Sequence, residues 1–82
     1  MTRVGVVDLG TNSTRLLVAD VEDGDVHELE RRLEITRLGE SVDSRRVLLP
    51  TALARVRNVL VDYRRATEEH GVGRTLALAT SA

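Results

Sequence analysis

One helix-forming stretch in this sequence of 82 residues follows three strand-forming stretches and precedes a fourth. From Pro50 to His70, apolar residues recur at the spacing of one helical face. Proline suits the first turn of a helix, and Gly71 suits the left-handed position just after its end. Arg37–Leu48, before the helix, has no clean periodicity and predicts a loop. The order β-β-β-α-β predicts an α/β fold with a mixed sheet.

The apolar face of this helix predicts how it packs. It consists of Ala52, Leu53, Val56, Val59, Leu60, Tyr63 and Ala66. The opposite face carries Arg55, Asn58, Asp62, Arg65 and Glu69, which we expect in solvent. Because Tyr63 is the only aromatic residue of the sequence, the core has to be built from Val, Leu, Ile and Ala.

Four segments have the composition of strands. The Val-rich segment Arg3–Val7 predicts a strand buried on both faces, and Thr14–Val21 and Thr75–Thr80 predict two further strands. In Val26–Thr36, charged residues alternate with leucine and isoleucine, which is typical of a strand near a sheet edge with one face in solvent, here the charged one. An Asp23-Gly24 turn precedes that strand, so the first 36 residues predict a three-stranded antiparallel meander.

The composition excludes several functional classes. With a formal net charge of −1 and one aromatic ring, the chain lacks the basic surface and the stacking rings of a nucleic-acid-binding protein. It has no cysteine, so disulfides and thiolate metal sites are excluded. No apolar run is long enough for a membrane span or a secretory signal, and we therefore expect a cytoplasmic protein without a membrane partner.

A single helix cannot cover both faces of a sheet that contains a parallel strand. The last predicted strand also ends the sequence without a following crossover. We therefore expect residues 1–82 to form one incomplete N-terminal lobe of a larger domain, with no internal boundary. The remainder of that domain is the partner this implies, and an unfinished sheet with exposed apolar faces tends to associate.

The residues best suited to chemistry follow the first strand. They are Asp8, Gly10, Thr11, Asn12, Ser13, Thr14 and Arg15. Gly10 allows the backbone to approach an anion, the next four residues offer hydrogen-bond donors, and Arg15 can clamp phosphate oxygens. Asp8 would repel a bare phosphate, so it fits there through a divalent cation such as Mg²⁺ or by orienting a water. The same residues would also suit an ordinary solvated hairpin turn.

Four motifs resemble one known family. The opening of the exopolyphosphatase/guanosine pentaphosphate phosphohydrolase (Ppx/GppA) family is similar, at matching spacing, to Met1–Val18 with its motif from Asp8, and to Ile35–Glu40, Leu48–Pro50 and Ala79–Ala82. This family belongs to the actin/Hsp70/sugar-kinase superfamily. The first four residues of the motif from Asp8, Asp-Leu-Gly-Thr, are shared with Hsp70 and the sugar kinases, whereas Asn-Ser-Thr-Arg and the later Arg-Leu-Gly-Glu are more specific.

The resemblance implies a partial ribonuclease-H-like lobe of the actin-like ATPase kind. It also implies a Mg²⁺-dependent enzyme that releases the terminal phosphate from inorganic polyphosphate or guanosine pentaphosphate and whose full-length form can be a homodimer. Asp8 would hold the metal directly or through water, and Gly10–Arg15 would bind phosphate. Arg37 is a further candidate contact to the polyanion.

The resemblance further implies what this chain lacks. In the family, a second, Gly-rich phosphate loop faces the first across a cleft, and a glutamate acts as general base on the attacking water. Neither has a counterpart in this sequence, so no catalytic residue is assigned, and neither Glu22 nor Glu40 takes the role of the base. We expect the isolated chain to be inactive, because little transition-state stabilisation remains without these groups.

Two other functions stay open on the sequence. The same loop can hold ATP phosphates in a sugar-kinase-like or chaperone-like ATPase, or the chain can be a non-catalytic phosphate-binding remnant. Structural alternatives also exist for single residues: Arg37 as a solvated loop arginine, and Thr80 and Ser81 as polar strand ends rather than cleft residues. His27 and His70 are not spaced as a metal-binding pair.

Overall fold

Four strands form one mixed sheet in a computed structural model that describes residues 1–40 and 48–79. The elements are β1 (Thr2–Leu9), β2 (Ser13–Glu22), β3 (Asp25–Ile35), α1 (Pro50–Glu69) and β4 (Arg74–Ala79). The strand order is β3-β2-β1-β4, antiparallel between β1, β2 and β3 and parallel between β1 and β4. The α/β class, the element order and the mixed sheet are confirmed. Most of the predicted loop before α1 lies outside the described residues.

The hairpin between β1 and β2 is tighter than the sequence predicted. β1 continues past Asp8, so this residue lies within the strand rather than in the turn, directly opposite Arg15 of β2. The Gly10 N–H donates to the Ser13 carbonyl oxygen at 2.9 Å and closes a short turn. The hairpin therefore presents two opposite charges at its end, one on each strand.

The apolar face of α1 packs on one side of the sheet. The core cluster consists of Val7, Leu16, Val18, Tyr63 and Ala66. Tyr63 is 2% exposed, and its hydroxyl donates to the carbonyl oxygen of Thr14 at 2.8 Å. Burial of such a side chain stabilises the fold by about 2 kcal/mol, and it raises the pKa of the Tyr63 hydroxyl, which stays a neutral donor. Leu53, predicted in the apolar face, lies at its margin and is 47% exposed.

Short local signals determine the turns and the ends of the helix. Asp23 and Gly24 connect β2 and β3 with φ values of 50° and 82°, as expected for an Asp-Gly turn. α1 begins at Pro50, and Gly71, with φ of 66°, follows the C-terminal cap His70. These predictions are confirmed because each depends on the conformational preference of one or two residues.

β3 is an edge strand as predicted, but the prediction for its two faces is wrong. Glu30 pairs with Val18 of β2, so its side chain lies on the face that α1 covers. There the His70 Nε2 lies 2.6 Å from a Glu30 carboxylate oxygen, and Arg32 also contacts Glu30. The nearby Leu33, on the opposite face, is 50% exposed. Glu30 and Arg32 therefore lie on the helix side because β2 sets the register, whereas Arg31, opposite Leu17, lies on the other face.

Arg3 connects the end of α1 to the sheet, at the end of the sheet that lies away from the β1–β2 turn. Its guanidinium makes two hydrogen bonds to the Asp20 carboxylate, at 2.8 and 3.1 Å, and a third to the His70 carbonyl oxygen at 2.8 Å. This arginine holds the pKa of the Asp20 carboxyl below its usual value. The contact fixes the helix against β1 and β2 at the end of the sheet opposite Asp8.

The sheet face away from α1 is apolar and partly exposed. Val6 of β1 lies between Leu17 of β2 and Leu76 of β4 on this face, and Leu76 is 55% exposed. Asp8 and Arg15 lie on the same face as Val6 and Leu17, two residues closer to the turn that joins β1 and β2. In the described part of the chain, no helix has the length and hydropathy needed to cross a membrane.

Candidate functional site

The predicted site residues lie together at the turn between β1 and β2. Because β1 and β4 are parallel, their carboxyl ends meet at this edge of the sheet, where Asp8 pairs with Leu78. Thr11 and Ser13 are half-buried, and Asn12 is exposed at the tip. Thr80 and Ser81, considered as cleft residues from the sequence, lie outside the described residues. The geometry gives one open edge bordered by a carboxylate, a short polar turn and an arginine.

Asp8 carries an unusual carboxylate oxygen. Its Oδ1 is buried and has no hydrogen-bond partner among the described residues. Buried polar atoms nearly always have a partner, because an unpaired one costs free energy, and more so when it is charged. An anionic oxygen in this position is therefore available to a cation or to an ordered donor.

Arg15 carries the charge opposite to that of Asp8. It lies opposite Asp8 on the neighbouring strand, is exposed, and makes no ion pair with any described residue. A cavity of about 200 Å³ lies beside the two side chains and is lined by Val6, Asp8, Arg15, Leu16, Leu17, Arg31, Arg32 and Leu33. The site thus holds a carboxylate oxygen and a guanidinium on the same face of the sheet, neither of them paired with a described residue.

A second backbone segment, residues 36–40, lies against the turn. The N–H groups of Thr36 and Arg37 donate to the Asn12 carbonyl oxygen at 3.0 Å each, and the Gly39 N–H donates to the Thr11 carbonyl oxygen at 2.8 Å. The turn carbonyls therefore face the 36–40 segment. The N–H groups of Thr11 and Asn12 have no acceptor among the residues that the structure describes.

Two residues of the 36–40 segment have unusual backbone requirements. Arg37 adopts φ of 53°, a left-handed conformation that costs a non-glycine residue about 1 kcal/mol. At Gly39, an added Cβ would lie 3.2 Å from the Cβ of Thr11, which is tighter than an ordinary contact. The structure thus brings the predicted Arg37 to the turn, and it gives Gly39 of the Arg-Leu-Gly-Glu motif a role in close packing.

Thr14 differs from the other predicted phosphate contacts. It is fully buried, and its hydroxyl lies 2.8 Å from the hydroxyl of Thr36, which is 1% exposed. The Thr14 side chain is therefore committed to the interior and cannot reach an anion at the exposed turn, which corrects the prediction for this hydroxyl. Thr36, which the sequence indicated as the end of a strand and as part of the Ile35–Glu40 motif, is the partner of this hydroxyl.

Arg55 is the functional candidate that the sequence analysis missed. It was expected in solvent, but it is half-buried and donates from Nε to the Thr36 carbonyl oxygen at 2.7 Å and from Nη2 to the Glu40 carboxylate at 2.5 Å. A longer bond of 3.3 Å joins Nη2 to the Arg37 carbonyl oxygen. Helical periodicity assigned Arg55 to the polar face and could not indicate this role. The only indication of this role in the sequence is an acidic residue, Glu40, in the segment before α1.

The remaining acidic and histidine residues form no second site in the described part of the chain. Arg55 holds the pKa of the Glu40 carboxyl below its usual value, so this group is an ion-pair partner and not a poised base. Glu22 lies at the other end of β2, far along the strand from Arg15. Residues 1–40 and 48–79 contain no cluster of three or more metal-binding side chains.

Comparison with known proteins gives consistent matches over the whole chain. Exopolyphosphatase 2 of Mycobacterium tuberculosis is 43% identical over 100% of this chain, which covers 27% of that protein. The solved Ppx/GppA phosphatase of Aquifex aeolicus is 32% identical with a TM-score of 0.91, over 96% of this chain and 26% of that one. An exopolyphosphatase from Cytophaga hutchinsonii is 30% identical with a TM-score of 0.90, over 98% of this chain and 26% of that one. No family model matches the chain.

The fold and the site define the class of protein to which this chain belongs. It is an α/β lobe of the actin-like kind, with a polar hairpin at the carboxyl ends of β1 and β4. The sequence and structure matches then identify the family. The chain is a Ppx/GppA segment, and the resemblance of its motifs is confirmed. It spans about a quarter of the length of the relatives it matches.

Proposed function

We propose that this chain forms the phosphate-binding corner of a phosphohydrolase that cleaves phosphoanhydride bonds, with inorganic polyphosphate as substrate. One observation carries the proposal: Asp8 and Arg15 lie opposite each other with a buried carboxylate oxygen and a guanidinium that have no partner among the described residues. The similarity to exopolyphosphatases supports the choice of substrate class. The chain forms the N-terminal lobe of a longer protein.

In this proposal the turn and Arg15 bind the terminal phosphate. Arg15 supplies a planar pair of donors that match two phosphate oxygens. The N–H groups of Thr11 and Asn12, which have no acceptor among the described residues, are neutral donors, and that of Asn12 points away from the 36–40 segment because the Thr11 carbonyl oxygen points toward it. Backbone donors at a short turn form an anion-binding concavity, so the two kinds of donor complement each other.

Asp8 suits a divalent cation such as Mg²⁺. Its buried Oδ1 is a hard oxygen donor without a competing partner among the described residues. Mg²⁺ is commonly held by one or two carboxylates together with substrate phosphates and waters, so a single aspartate fits this pattern. When bound, the ion would neutralise phosphate charge and polarise the phosphoryl oxygens. Asp8 then lies near an anionic substrate without repelling it.

The chain by itself supplies binding rather than the full reaction. Among the described residues, Glu40 is held by Arg55, and this proposal assigns Asp8 to the cation, so neither carboxylate takes the role of general base. The general base and an opposing phosphate clamp would come from the rest of the protein, so the isolated chain would not turn over substrate.

The test is phosphate release by the full-length protein with and without Mg²⁺. Polyphosphate, guanosine pentaphosphate and ATP are compared, because each ends in an anhydride phosphate. We expect Mg²⁺-dependent release from polyphosphate and a loss of about a hundredfold in kcat for Asp8→Asn. Asp62→Asn, on the exposed side of α1, is the matched control and should retain normal rates.

Three results would contradict parts of this proposal. Near-normal Mg²⁺-dependent release by Asp8→Asn refutes the role of Asp8. Dominant ATP turnover indicates a kinase-like or chaperone-like ATPase. Preference for guanosine pentaphosphate over polyphosphate keeps the reaction class and changes the substrate.

A further inference from the structure

We propose that Arg55, which does not belong to the phosphate-binding turn, positions that turn through the backbone of the 36–40 segment. The inference deepens the proposed function and rests on it, since it assigns a positioning residue to the same site. It follows from two sets of hydrogen bonds that share the 36–40 segment: one joins it to α1, and the other joins it to the turn.

The first set fixes the segment to the helix. Arg55 reaches the carbonyl oxygens of Thr36 and Arg37 and the carboxylate of Glu40, at 2.7, 3.3 and 2.5 Å. A guanidinium serves several acceptors at once because its N–H groups form a rigid planar fork. A lysine has a single ammonium and cannot reproduce this arrangement. The three contacts hold both ends of the segment to one side chain.

The second set fixes the turn to the segment. The Gly39 N–H donates to the Thr11 carbonyl oxygen at 2.8 Å. That carbonyl belongs to the same peptide unit as the Asn12 N–H, and in a trans peptide the two groups point in opposite directions. No peptide bond among the described residues is cis. The Gly39 contact therefore directs the Asn12 N–H away from the segment, to the side where the proposed phosphate binds.

The strained residue between the two sets is held from both sides. Arg37, with φ of 53°, donates its N–H to Asn12 and accepts hydrogen bonds at its carbonyl oxygen from Arg55 and from the Glu40 N–H. A left-handed non-glycine residue persists only when its surroundings enforce it. Removal of the Arg55 guanidinium would release one of these constraints and allow the segment, and with it the turn, to relax.

The experiment compares two arginine-to-methionine changes on the same helix in the full-length protein. Arg55→Met removes the contacts, whereas Arg57→Met changes an exposed arginine. We expect Arg55→Met to raise the KM for polyphosphate about tenfold and to change kcat much less, because the donors that bind phosphate lose their alignment. Arg57→Met should match the wild type in both. Amide deuterium exchange over residues 36–40 should be faster in Arg55→Met than in Arg57→Met.

Two further variants separate positioning from a general loss of folding. Arg55→Lys keeps the charge and should recover only part of the KM. Glu40→Gln removes the ion pair but leaves the Arg55 contacts to the two carbonyl oxygens, so its KM should rise less than that of Arg55→Met. If Arg55→Met does not fold, the KM values of these two variants relative to the wild type decide the question.

The outcomes distinguish this inference from the proposed function. Normal wild-type turnover with the same KM in Arg55→Met and Arg57→Met overturns the role of Arg55 and leaves the proposed function standing. If the wild type releases no phosphate, and polyphosphate with Mg²⁺ does not slow deuterium exchange over residues 10–13, the proposed function fails and the inference fails with it.

Discussion

Asp8 and Arg15 face each other across β1 and β2, yet no ion pair joins them. Cross-strand neighbours of opposite charge are within easy reach of one another, and such a pair stabilises a sheet by a few tenths of a kcal/mol up to about 1 kcal/mol. Here the two charges remain separate: one oxygen of the half-buried Asp8 carboxylate is buried, and Arg15 is exposed. Two opposite charges that do not pair with each other suit a ligand that carries both negative and positive charge, such as a phosphate with its bound cation.

Replacement of Arg15 by methionine is expected to weaken binding of polyphosphate about tenfold or more, because a charge-assisted, two-point contact to phosphate is lost. Arg15 is exposed and makes no ion pair with described residues, so the stability of the protein should hardly change. The measurement is the KM for polyphosphate together with a thermal melt. Arg65→Met on the exposed side of α1 is the control, and an equal KM in both variants would exclude Arg15 from the site.

Gly39→Ala should displace the turn. The new Cβ would lie 3.2 Å from the Cβ of Thr11, so turn and segment must separate, at a cost of about 1 kcal/mol or more. We expect a lower urea midpoint and a higher KM for polyphosphate. Gly73→Ala is the matched control, because a Cβ there meets no atom within 4 Å. If both alanine variants behave alike, close packing of Gly39 on Thr11 does not matter.

The ion pair between Arg55 and Glu40 predicts a specific pH dependence. Arg55 lowers the folded-state pKa of Glu40, so the unfolded chain binds protons more readily at this residue. The pair therefore stabilises the fold fully above the ordinary glutamate pKa, and its contribution is lost as the pH falls through the lowered pKa. The urea midpoint of the wild type should exceed that of Glu40→Gln at pH 7, and the difference should shrink steadily as the pH falls below the ordinary glutamate pKa.

Glu69→Gln provides the reference for this pH series, since Glu69 is exposed at the end of α1. Its difference from the wild type should be small at every pH. A difference for Glu40→Gln that stays constant from pH 7 to pH 3 would mean that ionisation of Glu40 does not stabilise the fold.

Much of the fold could be predicted because its signals are local. Pro50 and Gly71 mark the limits of α1, and the Asp23-Gly24 turn connects β2 to β3, each through a backbone preference of a single residue or pair. The element order then follows from periodicity. The candidate site could be predicted as a set of neighbours because Asp8 and Arg15 lie close in the sequence.

The remaining features depend on contacts between distant residues. Alternation in β3 indicates that Glu30 and Arg32 share a face, but only the register with β2 decides which face the helix covers. Helical spacing likewise placed Arg55 among polar residues without indicating that a loop packs there. The burial of Thr14 depends on Thr36, which lies 22 residues away. Patterns within one element carry no information about such partners.

The 36–40 segment has a consequence for how the site forms. Its bonds to Asn12 and to Arg55 join parts of the chain separated by 24 and 19 residues, respectively. The turn is therefore held in this shape only where the sheet and the helix are docked, and a peptide cut from the hairpin alone would lack these bonds. A ligand that recognises this turn binds the native state, so polyphosphate should raise the melting temperature, by an amount that keeps increasing as its concentration rises above the Kd.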